Sequence, residues 1–159
     1  MTCILSAGRD AELRHQLAAW AADRIPHVSS FPPECETLAV MEGSDPWNLD
    51  NRVLAVVVFH EWVYGTIQIS CAAASPKWAS PRVLRSLLEY PFGQLGCRKV
   101  HVIIPHTNDR AIKFNAGIGM RKEATIRHYF ADGLHGVVLG MTRREFDKRW
   151  ASLPAMAHA

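Results

Sequence analysis

The sequence predicts a single α/β (α+β) domain, with one mixed sheet flanked by helices. Three observations carry this. Three strand-like segments follow one another between residues 37 and 73, and strand and helix patterns alternate after them. The chain has 159 residues, the size of one domain. Its 48% apolar and 21% charged content suits a chain that buries a sizeable core without staples.

The elements follow in order. Thr2 to Ser6 reads as a short strand. Asp10 can cap a helix to about Arg24, with Leu13, Leu17, Trp20 and Ala21 on one face, and Pro26 and Pro32-Pro33 break it. Thr37 to Glu42 is a strand, and Gly43 to Asn51 a surface loop. Arg52 to His60 and Tyr64 to Ala73 are strands, with Glu61-Trp62-Val63 as the hairpin turn between them. Ser75 to Ser80 is a loop. Ser80 caps a helix with Pro81 first and Val83, Leu84, Leu87, Leu88, Phe92 and Leu95 as its buried stripe. Pro91 kinks or shortens it, and Gly96 ends it. Lys99 to Ile104 is a strand, and Asn108 caps a helix closed by Gly117 and Gly119. Lys122 to Phe130 and Leu134 to Thr142 form a hairpin around Asp132-Gly133, and Arg143 to Trp150 is a terminal helix.

Composition removes several functions. The net charge of +3 is spread along the chain, which permits an anionic ligand but gives no basic run for nucleic acid. Cys3, Cys35, Cys71 and Cys97 lie far apart without CxxC or Cys/His spacing, so no disulfide framework and no metal site is expected. Scattered single cysteines suit a cytoplasmic setting. Arg9, Asp10, Glu12 and Arg14 interrupt any signal-like apolar run, and no stretch has the length of a membrane span.

Four short patterns remain. Tyr90-Pro91-Phe92-Gly93-Gln94-Leu95-Gly96 ends the second long helix, and Asn108 with Ala111 precedes Gly119-Met120. Glu123-Ala124-Thr125-Ile126-Arg127 and Gly140-Met141-Thr142-Arg143-Arg144-Glu145 lie in the last hairpin and after it. In order and spacing they resemble the "YAFxxLG", "NxxAxxxxxxxGF", "EGxxR" and "GMxRxE" of GNAT acetyltransferases, from Arg52 to Trp150. The pattern is similar to the branch of ribosomal-protein N-terminal acetyltransferases and to small GNAT-like proteins of phages and prophages. Residues before Arg52 match in element order.

The resemblance implies the GNAT fold, a mostly antiparallel sheet with one splayed parallel pair, here Tyr64–Ala73 and Lys99–Ile104. It implies acetyl-CoA as acyl donor in that splay, with the backbone of Ile69, Ser70, Cys71 and Ala72 along the pantetheine arm. The pyrophosphate would meet Lys77, Trp78, Ala79, Ser80 and Arg82 at the next helix start, where amides and dipole favour an anion. This loop departs from the family: its two glycine positions hold Pro76 and Trp78. Asn108 contacts the pantetheine or caps its helix. Asn115 stands where many relatives carry a tyrosine acid. The base candidates are His106 first, at the cleft end, and Glu61 second, with His60, His128 and His135 behind them. Trp62, Trp78 and Tyr129 are candidates for an acceptor pocket, and Arg127 for an anionic part of the acceptor. The expected activity is acetyl transfer to a primary amine by direct attack, on a small molecule or a peptide, with a homodimer as the candidate assembly. The alternative is a GNAT-fold protein that has lost catalysis and serves as a binding or virion component.

Overall fold

The computed structural model describes residues 1–48 and 52–156. Seven strands form one sheet: β1 Thr2–Ser6, β2 Glu36–Glu42, β3 Val53–Val63, β4 Thr66–Ala73, β5 Lys99–Pro105, β6 Arg121–Ala131 and β7 Leu134–Thr142. Four helices pack on it: α1 Ala11–Ala22, α2 Pro81–Glu89, α3 Asp109–Gly117 and α4 Arg143–Arg149. The order across the sheet is β1-β2-β3-β4-β5-β7-β6, with every pair antiparallel except β4 and β5. This is the expected mixed sheet. The loop predicted over Gly43–Asn51 falls partly outside the described residues.

Strand alternation divides the core in two. On β3, Val57 and Phe59 join the cluster beneath α2 and α4, which includes Leu84, Leu88, Phe92 and Phe146. Val56 and Val58 face the other way, onto Leu17, Ala18 and Ala21 of α1. Both faces are covered, so Leu54 to Phe59 is buried throughout. Among the described residues, no helix is long and apolar enough to cross a membrane.

The β3–β4 hairpin corrects one expectation. Its turn is Tyr64-Gly65, not Glu61-Trp62-Val63, and β3 runs on to Val63 through a register shift after His60. The reversal needs left-handed backbone, at Tyr64 (φ 52°) and Gly65 (φ 78°), and glycine adopts it without steric cost. Glu61, at φ 54°, lies within the shifted segment, which works as a bulge.

Two of the four sequence patterns turn out to hold the fold. Tyr90–Gln94 continues α2 as a π turn around Pro91, which has no amide to donate, and Leu95 N closes on Tyr90 O at 3.1 Å. Arg143 donates to the Phe92 carbonyl, and the Phe92 and Phe146 rings stack 4.8 Å apart. Glu145 completes a capping box with Thr142 at the start of α4.

The feature that positions the site is short. β4 and β5 pair only at Thr66–Lys99, Ile67–Val100 and Gln68–His101. Beyond these, β4 continues to Ala73 and β5 to Pro105 without pairing to each other. The strands splay at their C-terminal ends, as the resemblance implied.

Candidate active site

A cavity opens on each side of the splay. One, of about 260 Å³, is apolar and includes Ile69, Leu87, Val102, Trp78 and Phe114 in its wall. The other, of about 860 Å³, is lined by the 25–32 loop, by His60, Glu61 and Gln68, and by Tyr129 and Phe130. Ile25, Ser70, Ile103, Pro105 and Asn108 line both. Of these five, only Ser70 and Asn108 carry polar side chains. The Asn108 side chain is committed to α3, accepting from Ala111 N at 3.2 Å. Ser70 is therefore the shared polar side chain not spent on a cap.

Its partner comes from β3. The register sets Val58 opposite Ser70 and His60 opposite Gln68, so His60 and Ser70 are diagonal neighbours on one face. His60 Nε2 lies 2.9 Å from Ser70 Oγ. The Glu61 carboxylate lies 4.0 Å from His60 Nδ1. The His60 side chain is only 9% exposed, with the Phe31 ring 5.1 Å from it. Burial holds the imidazole below its usual 6.5; Glu61 opposes this and His101 adds to it. His60 is thus neutral near pH 7, with one ring nitrogen free to accept a proton.

His106 sits elsewhere. It is exposed, lines neither cavity, and its Nδ1 accepts from His135 N at 3.0 Å. His135 Nδ1 accepts from His128 N at 2.9 Å, and His128 Nδ1 from Gly133 N at 2.8 Å. β6 leaves register with β7 between Ile126 and Ala131, and these rings supply the acceptors there. A neutral imidazole that accepts at Nδ1 carries its proton on Nε2, so such a ring has no free lone pair.

The remaining candidates divide. Glu61 and Tyr129 line the larger cavity, while Trp62 and Arg127 do not. Trp78 lines the smaller cavity instead, 9% exposed, with its ring 5.6 Å from that of Phe114 on α3. Ile69 and Cys71 line the smaller cavity, but Ala72 is buried on the α1 side. Asn115 also lines the smaller cavity and donates to Ala111 O at 2.8 Å.

The loop before α2 is a 3-10 turn, Pro76–Trp78. Ser75 holds two of its amides, accepting Lys77 N at its hydroxyl (3.3 Å) and Trp78 N at its carbonyl (3.5 Å). Ser80 Oγ takes Val83 N at 3.3 Å. That leaves the amides of Ala79, Ser80 and Arg82 without an acceptor among the described residues. Lys77 and Arg82 are exposed on either side of the helix start and form no ion pair there.

No protein-family model matches the chain, and no curated protein matches it by sequence. Solved structures do match. A chimera of spermidine N-acetyltransferase SpeG from Vibrio cholerae and hSSAT superposes with TM-score 0.64 at 12% identity, covering 91% of this chain and 98% of that one. SpeG itself, in complex with manganese ions, gives 0.62 at 13% identity over 93% and 96%. An N-acetyltransferase from Staphylococcus aureus gives 0.63 at 15% over 90% and 99%. The chain has the GNAT fold.

Proposed function

We propose that this protein moves an acetyl group from acetyl-CoA to a primary amine by direct attack. The observation that carries the reading is the splay itself, which joins an apolar cavity to a polar one at Ser70. The donor fits the residues present. β4 beyond Gln68 offers an edge without a strand partner for the pantetheine arm. The free amides of Ala79, Ser80 and Arg82, with two unpaired basic side chains, suit a diphosphate.

The amine enters from the larger cavity, where Glu61 supplies a carboxylate and Phe31, Tyr129 and Phe130 apolar walls. His60 takes the amine's proton through the Ser70 hydroxyl, and Glu61 steadies the resulting imidazolium. Amides on the open edge of β4 polarise the thioester carbonyl.

A second reading has one observation in its favour. Trp78 occupies the wall of the donor cavity where the family has a glycine-rich loop, and its ring meets Phe114 across the space between the two helices. An inactive binding protein would tolerate that.

Calorimetry with acetyl-CoA and mass spectrometry of an amine panel separate the two. Saturable binding and an acetylated amine are expected. No binding up to millimolar acetyl-CoA, with Trp78 fluorescence unchanged, sinks the enzyme reading.

A further inference from the structure

We propose that Ser70 is a nucleophile, and that the same site hydrolyses acyl thioesters through an acyl-serine when no amine is bound. The juxtaposition is Ser70 Oγ, His60 Nε2 at 2.9 Å, and Glu61 at 4.0 Å from the far side of the ring. Amine transfer by direct attack uses this hydroxyl only as a proton relay. It stands where the two cavities meet. Its hydrogen-bond partner is a buried, neutral imidazole flanked by a carboxylate, the arrangement that activates a serine. The hydroxyl lies on β4 just past the last residue paired to β5, beside the edge whose amides can receive an oxyanion.

The neighbouring thiol is no competitor. Cys71 lines the donor cavity too, but although the residue as a whole is exposed, burial around its sulfur pushes the thiol up to about 12. Among the described residues no basic group acts on it.

The steps balance with water as the second reactant. Ser70 Oγ attacks the thioester carbonyl carbon while its proton passes to His60 Nε2. The carbon–sulfur bond breaks, and the proton returns from His60 to the leaving thiolate. Water from the larger, open cavity then attacks the serine ester, giving a proton to His60. The carbon–oxygen bond breaks, Ser70 regains its proton from His60, and acetic acid leaves, losing water's second proton to solvent as acetate. An amine in that cavity takes water's place or bypasses the ester altogether.

The inference shares the donor cavity with the transferase reading, so the test includes a probe that needs no coenzyme. An alkyl fluorophosphonate should label wild-type protein on the peptide carrying Ser70. Labelling should vanish in Ser70→Ala and fall about 100-fold or more in His60→Ala. With acetyl-CoA and no amine, free thiol should be released, and acid-quenched protein should carry one acetyl group on Ser70. Ser70→Cys should hold that acetyl group longer, as a thioester. Circular dichroism of each variant guards against loss of fold. No fluorophosphonate adduct on Ser70 in the wild type overturns the proposal. So does thiol release by Ser70→Ala at the wild-type rate. Calorimetric binding of acetyl-CoA without either signal overturns this inference alone, and absence of binding overturns the transferase reading.

Discussion

The two cavities that meet at Ser70 are built from opposite materials. The side proposed for the donor is cut into the core: Trp78, Leu84, Leu87 and Val102 line it and also belong to the main hydrophobic cluster. The side proposed for the acceptor is assembled from strand ends and the 25–32 loop, and it holds the ionisable groups His27, His60, Glu61 and Tyr129. The difference teaches where each kind of change will be felt. Substitutions of the donor side's apolar core residues act through packing, because those residues also carry part of the fold. Substitutions on the acceptor side act through protons and charge. Each measurement below can break that division.

The largest effect belongs to the acceptor side. His60→Ala removes the proposed base and should lower kcat/KM by about 10²–10⁴-fold, the range for a positioned general base. The wild-type pH profile should lose rate on the acid side only below 6.5, since burial holds His60 under that value. An acid limb centred above 6.5 would take the role away from His60. An unchanged kcat/KM in a folded His60→Ala protein would remove the catalytic meaning of the His60–Ser70 pair.

Trp78→Gly tests the donor side. It removes a buried aromatic and introduces glycine, and should destabilise the fold by about 3–5 kcal/mol in urea titration. Acetyl-CoA binding should persist, because the free amides near α2 belong to other residues. Loss of binding with little loss of stability would mean that Trp78 serves the ligand more than the core. Arg82→Ala should weaken acetyl-CoA binding by only about five- to tenfold, as expected of an exposed charge-assisted contact. Calorimetry that gives an unchanged Kd would return Arg82 to the surface.

Most of the fold was legible in the sequence, and the site was legible in halves. The caps Asp10, Ser80 and Asn108 and the Asp132-Gly133 turn follow from local chemistry, which is what a sequence displays, while the splayed pair comes from the family resemblance alone. The His60–Ser70 pair does not. A turn centred on Trp62 sets His60 opposite Tyr64, far from Ser70. The turn at Tyr64-Gly65, with its register shift, brings them onto one diagonal. A shift of four residues in the partner of His60, from Tyr64 to Gln68, thus decides which histidine meets which hydroxyl. His106 lies apart from this pair for the complementary reason. It lies two residues before Asn108 in sequence, but its ring is drawn to the irregular β6–β7 pairing, which sequence spacing does not reveal.

The smallest effect is on stability, and it isolates the acceptor side from catalysis. Burial lowers the pKa of His60, and it also lowers that of His101, two strands away on β5, where Lys99 adds to the effect and Glu123 opposes it. Lys99 and Glu123 form an ion pair beside His101, and Glu61 faces His60, so these are the charges each imidazole senses. In the unfolded chain both rings titrate near 6.5. The folded state binds fewer protons than the unfolded state as pH falls past that value, so each ring's contribution is present above 6.5 and lost on acidification. Urea midpoints should therefore be flat from pH 8 to 7 and decline from 6.5 downward. His60→Gln, which cannot be protonated, should flatten part of that decline, and His101→Gln should flatten the rest. If both variants keep the wild-type slope, the acid loss belongs to other groups. The imidazole beside Ser70 would then be no harder to protonate than a free one.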